Sequence, residues 1–251
     1  FSTNCPPPLP PQTYIPDNNF EAYLEANNMG NGIANDDYVT TANISGVTEI
    51  KVYRLKIADL TGIEDFTALT NLNCHNNQLT SLDVTQITAL TYLDCGANQL
   101  TSLDLSQITA LYNLDCSVNQ LTSLDVSQNT ALVIFGCNNN QLTSLDFRNG
   151  NNQNLSIFDV TNNPNLTCIN VDDVTYSTTN WTNIDAQHYF STNCPPPLPS
   201  QTYVPDDNFE AYLEANGMGN GIANDDSVNT SNISGVISLD VIGQNIADLT
   251  G

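Results

Sequence analysis

The sequence predicts an α/β solenoid: short parallel strands wound into a right-handed coil, with a short helical cap at one end and a disulfide-bonded cap at the other. Three observations predict it. Four nearly identical segments begin at Leu69, Leu90, Leu111 and Leu132, the second reading LTYLDCGANQLTSLDLSQITA. Cys74, Cys95, Cys116 and Cys137 recur every 21 residues, and Asn77, Asn98, Asn119 and Asn140 recur with them. Beyond this frame the period breaks, and the opening text of the chain returns at Phe190.

A 21-residue period of L-x-x-L-x-C-x-x-N-x-L-x-x-L is the pattern of a leucine-rich repeat. In each turn a short strand points a Leu and a Cys inward, as Leu93 and Cys95 do, and stacked neighbours supply the core that one turn cannot bury alone. The recurring Asn falls where the chain bends out of the strand, so its amide can satisfy backbone groups that the bend leaves unpaired. Leu100 and Leu103 close the turn from the far side. Departures are small: Phe135 and Phe158 replace Leu, Val52 and Val160 replace Cys, and the turn at Leu132 is two residues longer. Parallel strands are expected at Ile50, Leu72, Leu93, Leu114, Phe135 and Phe158.

The four ladder cysteines read as core. Parallel strands in register lie about 4.8 Å apart, which exceeds the ~3.8 Å between Cβ atoms that a disulfide prefers, and buried free cysteine behaves as a small hydrophobe. Of the seven cysteines, Cys5, Cys168 and Cys194 then remain. Cys194 repeats Cys5, and Cys168 precedes it by 26 residues, so Cys168–Cys194 is the expected bond. Cys5 is assigned to a preceding unit. An oxidising, extracellular setting follows.

In chain order, residues 1–13 are a proline-rich linker of semi-rigid type. Residues 14–46 form the N-terminal cap, with a helix over 18–26 entered through a capping box at Asn18 and Glu21. The following loop offers Asn31, Asp36 and Asp37 as oxygen ligands, so Ca2+ is a possible guest. An EF-type frame, however, places Met29 and Tyr38 at ligand positions. Residues 47–167 carry the repeats. Residues 168–194 break the period and bring in Trp181, the single tryptophan, as a C-terminal cap. Residues 195–251 are the linker, N-terminal cap and first strand of a second unit. Residues 190–251 differ from 1–62 at 15 of 62 positions, which sets the unit at 189 residues. Asn18 becomes Asp207 and Asn28 becomes Gly217, while Lys51, Arg54 and Lys56 become Asp240, Gly243 and Asn245.

A net charge of −23 with four basic residues excludes a nucleic-acid partner, which requires a basic face. There is no apolar run long enough to span a membrane. Two histidines, His75 and His188, and the absence of nucleophile, zinc or phosphate-loop motifs argue against an enzyme and against a required cofactor. The concave strand face is left as the binding surface. Its outward positions include Tyr53, Asn73, His75, Tyr92, Asp94, Asn113, Asp115 and Asp159, a mixture of aromatic, amide and carboxylate groups suited to a glycan or a polar surface protein; a merely solvated face is the alternative. On the far side Asp83, Asp104, Asp125 and Asp146 form a column in which each is expected to cap its own turn. Asparagine sequons occur at Asn43, Asn154, Asn165, Asn180, Asn229 and Asn232, no more than the composition predicts. Asp226-Ser227-Val228 matches a short acidic sequon for O-glycosylation at Ser227.

The stretch IADLTGIEDFTALTNL resembles the first repeats of internalin-like bacterial surface proteins. The chain as a whole is similar to the cysteine-containing leucine-rich repeats of the BspA-like and internalin-like group. The resemblance implies a secreted, cell-surface protein used for adhesion or interaction rather than catalysis. The repeated 62 residues add a structural expectation: copies of the unit joined end to end in a fibre or stalk, with an axial repeat of about 50–60 Å from six turns, two caps and a linker. An adhesin using the concave face is the alternative, and an accessory part of a larger secreted enzyme is a third.

Overall fold

The computed structural model describes residues 10–195, 201–234, 236 and 238–249. Cys5 and most of the two proline-rich stretches therefore lie outside the described residues. The chain forms two compact units, Phe1–Pro195 and Pro196–Gly251.

The first unit opens with β1 (Gln12–Tyr14), α1 (Asn18–Ala26), β2 (Tyr38–Thr40) and α2 (Thr41–Ile44). The solenoid follows: β3 (Glu49–Lys51), β4 (Asn71–Asn73), β5 (Tyr92–Asp94), β6 (Asn113–Asp115), β7 (Ser123–Asp125), β8 (Ile134–Gly136), β9 (Ser144–Phe147) and β10 (Ile157–Asp159). It ends with β11 (Cys168–Val171), α3 (Val174–Asn180) and β12 (Tyr189–Ser191).

Strands β3, β4, β5, β6, β8 and β10 form one six-stranded sheet in that order, every pair parallel. The register is unshifted, so Ile50, Leu72, Leu93, Leu114, Phe135 and Phe158 lie in one row across the sheet, as the period requires. That row is buried, as are Cys74, Cys95, Cys116 and Cys137, and the four thiols are free. A continuous apolar core runs from Ile15 in the cap to Phe190.

A feature absent from the sequence-based expectation is a second parallel sheet on the far side, in the order β7, β9, β11, β12. Upstream turns lack it although Ser81–Asp83 and Ser102–Asp104 repeat the text of β7. In every turn the far-side aspartate caps the bend: Asp83 Oδ1 accepts from Thr85 N at 2.9 Å, Asp104 from Ser106 N at 2.9 Å, Asp125 from Ser127 N at 2.8 Å and Asp146 from Arg148 N at 3.1 Å. The expected role of that column is present.

The helix of the N-terminal cap spans the expected residues, but its entry differs. Asp17, not Asn18, is the N-cap, its Oδ1 accepting from Asn19 N and Phe20 N. Its Oδ2 accepts from Ala58 N at 2.7 Å and Asp59 N at 3.2 Å in the first turn of the solenoid. One carboxylate thus caps the helix and clamps it to the coil. Glu21 does not reach back to the cap either. It is buried and accepts from Asp36 N at 3.1 Å, so the box pattern serves loop anchoring instead of capping.

At the other end Trp181 is buried and stacks on Phe158 with centroids 4.2 Å apart, flanked by Phe147 and Phe190. These rings cover the last turn, and Cys168 is bonded to Cys194. In the second unit β13 (Gln201–Tyr203), α4 (Asp207–Ala215), β14 (Ser227–Asn229) and α5 (Thr230–Ile233) repeat the N-terminal cap. Asp206 is the N-cap of α4 and also accepts from Ala247 N and Asp248 N. Asn28 and Gly217 both take left-handed backbone after their helices, with φ of 61° and 70°.

Candidate functional site: the concave sheet

Three rows of side chains project from the six-stranded sheet and the bend after it. The first is Glu49, Asn71, Tyr92, Asn113, Ile134 and Ile157; the second is Lys51, Asn73, Asp94, Asp115, Gly136 and Asp159. Two residues further along, Tyr53, His75, Gly96, Ser117 and Asn138 form the third. The strand period of two puts these residues opposite the buried Leu/Phe row. All eight residues predicted for the face are on it. Side chains of the central strands are half-buried, whereas Lys51 and Tyr53 at the rim are exposed.

The second row is held by its own backbone. Asn73 Oδ1 accepts from His75 N at 3.1 Å, Asp94 Oδ1 from Gly96 N at 3.1 Å, Asp115 Oδ1 from Ser117 N at 2.9 Å and Asp159 Oδ1 from Thr161 N at 3.0 Å. Each aspartate here uses Oδ1 for the bend. His75 Nδ1 lies 3.3 Å from Asp94 Oδ1. Burial pushes the Asp94 carboxyl above its ordinary range and the nearby Asp115 adds to this; burial likewise raises Tyr92, with Asp94 contributing. Sequence reasoning passed over two glycines. A Cβ at Gly96 would stand 3.0 Å from His75 Nδ1 and 3.4 Å from Asp115 Oδ1, and one at Gly136 would stand 3.3 Å from Ser117 Oγ. These glycines keep the floor low between the polar side chains, and only the register reveals it.

The loop residues offered to a cation are brought together differently. Asn31 Nδ2 donates to Asp36 Oδ2 at 3.0 Å, while Asn31 Oδ1 accepts from Ile33 N and Asp36 Oδ1 from Tyr38 N. Glu25 accepts from Asn31 N at 2.7 Å. Asp37 stands apart in left-handed backbone, with φ of 65°. Among the glycosylation candidates, Asn43, Asn154, Asn165, Asn180 and Asn232 are exposed. Four of their amides are engaged: Asn43 with Gly30 O, Asn154 with Asn151 Oδ1, Asn180 with Tyr176 O and Asn232 with Gly219 O. Ser227 Oγ accepts from Asn220 Nδ2 at 3.1 Å.

No protein-family model and no curated protein matches this sequence. Solved structures do. The functional domain of InlJ from Listeria monocytogenes, a structure that includes a cysteine ladder, is 32% identical with a TM-score of 0.56 over 66% of this chain. This chain spans 41% of the length of that structure. An internalin, InlF, of the same organism is 19% identical with a TM-score of 0.43, covering 71% of each chain. Internalin C2, also from L. monocytogenes, is 20% identical with a TM-score of 0.40, over 73% of this chain and 99% of that one. The fold is that of an internalin-like leucine-rich repeat. Among the described residues no helix is long and apolar enough to cross a membrane.

Proposed function

We propose that this chain is a non-catalytic, extracellular interaction module that binds a surface protein or a glycan on its concave sheet. One observation carries the reading: an in-register sheet presents Tyr53, Tyr92, Asn73, Asn113, Asp94, Asp115 and Asp159 in straight rows, with Gly96 and Gly136 lowering the floor between them. Bend-capping fixes the carboxylates before any partner arrives, which lowers the ordering cost of binding. The Cys168–Cys194 bond supports an oxidising location. The likeness to the InlJ domain supports a role at a bacterial surface. The reading requires no cofactor. Its test is a screen of the purified chain against surface proteins and glycans, repeated with Tyr92→Ala combined with Asp115→Ala. Binding should fall at least tenfold while the melting temperature stays within a few degrees; undiminished binding would refute the concave site.

A second reading rests on a separate observation. The N-terminal cap of the first unit recurs in the second, where β13, α4, β14 and α5 repeat β1, α1, β2 and α2 and Asp206 repeats the N-cap role of Asp17. That repetition supports tandem units in a fibre. Electron micrographs of the native material test it: filaments with a regular axial repeat are expected, and isolated particles with variable angles between rods would refute it.

A further inference from the structure

Basic residues are scarce in this chain, four Lys and Arg against 27 Asp and Glu, yet Lys51, Arg54 and Lys56 fall within six residues. Lys51 is paired with Glu49 at 2.8 Å, and the fourth cation, Arg148, with Asp146. Arg54 and Lys56 are exposed and have no ion pair among the described residues. They follow β3, the edge strand of the six-stranded sheet, on either side of Leu55 and directly after Tyr53, which is 53% exposed.

The backbone beneath them is unfavourable for such side chains. Arg54 and Lys56 have φ of 61° and 60°, the left-handed region that long side chains adopt rarely. In the second unit the same two positions are Gly243 and Asn245, with φ of 77° and 56°, residues that tolerate this conformation. The position of Arg54 in the following turns holds Asn76, Ala97, Val118 and Asn139, all with positive φ. Eight of the fifteen differences between the two copies lie in residues 48–56. The first copy therefore carries two unpaired cations where local conformation disfavours them, a pattern expected where function overrides propensity. The backbone that carries them is hydrogen-bonded to the next turn. Arg54 N donates to His75 O at 3.0 Å, and Leu55 N and Ile57 N both donate to Asn77 Oδ1, at 3.1 and 3.0 Å.

We propose that Arg54, Lys56 and Tyr53 anchor one acidic sugar of a glycan whose neutral remainder lies along the concave sheet. This rests on the concave-face reading and specifies the ligand class. The patch is only three residues wide. Two and three strands further on it gives way to Asp94 and Asp115, whose charges would repel a polyanion or an acidic protein surface laid along the same track. A single carboxylate or sulfate on a sugar ring avoids that repulsion. The guanidinium and ammonium groups take the anion, the exposed Tyr53 ring takes the apolar face of the sugar, and amide and carboxylate groups beyond meet neutral hydroxyls.

The test compares the whole chain with Arg54→Gly/Lys56→Asn, which copies the second unit's own residues. Probes are a panel of glycans ending in one acidic sugar, their neutral counterparts, a sulfated polysaccharide and a polyglutamate peptide. At least one acidic-ended glycan should bind tenfold or more tightly than its neutral counterpart, and less tightly as salt rises. In the double variant that preference should disappear while the melting temperature does not fall. Three outcomes would overturn the proposal: no such preference on the panel, a preference kept by the double variant, or tightest binding of the polysaccharide or the peptide. The Tyr92→Ala/Asp115→Ala protein separates the two readings. If it binds like the parent while the rim variant fails, the concave reading falls and the rim site stands. If only it fails, the rim site falls alone.

Discussion

Asn98 is hydrogen-bonded to the carbonyl of Cys74, 24 residues earlier, at 3.1 Å. The same amide donates to Cys95 O in its own turn at 3.0 Å, and its Oδ1 accepts from Leu79 N at 3.1 Å. One buried side chain therefore satisfies backbone groups of two successive turns where neither has a strand partner. Asn77, Asn119, Asn140 and Asn163 repeat the arrangement.

Replacing Asn98 by Ala leaves Leu79 N buried and unpaired, while Cys74 O keeps Asn77 Nδ2 and Cys95 O keeps Asn119 Nδ2. At about 1–3 kcal/mol for an unsatisfied buried group, Asn98→Ala should destabilise the first unit by about 1–3 kcal/mol. Denaturant unfolding measures it, and a loss below about 1 kcal/mol would contradict the bridging role.

Gly30 is needed for lack of space and not for its φ. A Cβ there would lie 1.9 Å from Glu25 Oε1, the group that accepts from Asn31 N and Gly32 N. Gly30→Ala must displace that carboxylate and unlatch the loop, costing about 2–4 kcal/mol. Gly219 stands in the same relation to Glu214, so Gly219→Ala should loosen the second cap alike. Gly32→Ala meets no atom within 4 Å, although its φ of 86° is itself unfavourable to Ala. Melting curves of Gly30→Ala equal to the parent's would remove the latch.

Reduction of Cys168–Cys194, which closes a loop of sequence separation 26, should lower stability by about 3.5 kcal/mol by loop-closure entropy. The ladder thiols should stay unmodified by a water-soluble thiol reagent in the native protein, since burial raises the Cys74 and Cys95 thiols well above the ordinary range. They should react once the protein is unfolded. Rapid labelling of Cys95 in native conditions would be inconsistent with a closed core.

Two aspartates should respond to pH with opposite sign. Burial raises Asp94, so its charge opposes folding at neutral pH, and this opposition vanishes as pH falls below the unfolded value of about 3.9. Asp94→Asn should melt higher than the parent at pH 7, with the gain gone near pH ~3. Asp104 is held below the ordinary range first by the Ser106 N–H. Its contribution is present above about 3.9 and lost as pH falls through the lower folded value. Asp104→Ala should therefore melt lower at pH 7 and approach the parent in acid. The same sign for both variants would contradict these environments.

Much of this architecture was legible in the residues. Short-range periodicity places Leu93, Cys95 and Asn98 at equivalent points of every turn, and stacking equivalent points can only produce parallel strands in register, a shared core and an asparagine ladder. The bond between Cys168 and Cys194 followed from counting, because four cysteines were already committed to the core. The helix of the cap was legible as well, but its anchor was not. Asn18 and Glu21 have the spacing of a capping box, yet Asp17 is the cap, because it alone also meets Ala58 N and Asp59 N.

What the sequence by itself determined is whatever repeats: the period, the strand faces and the capping aspartates. Tertiary structure decided what depends on neighbours that no single turn contains. The second sheet of β7, β9, β11 and β12 forms only toward the C-terminal end, although its text is nearly the same upstream. The low floor at Gly96 and Gly136 exists because strands in register bring His75, Asp115 and Ser117 beside them. The unpaired cations at Arg54 and Lys56 are conspicuous only once their left-handed backbone is seen. Periodicity specifies which residues are equivalent; contact across turns determines which of the equivalent residues differ in environment.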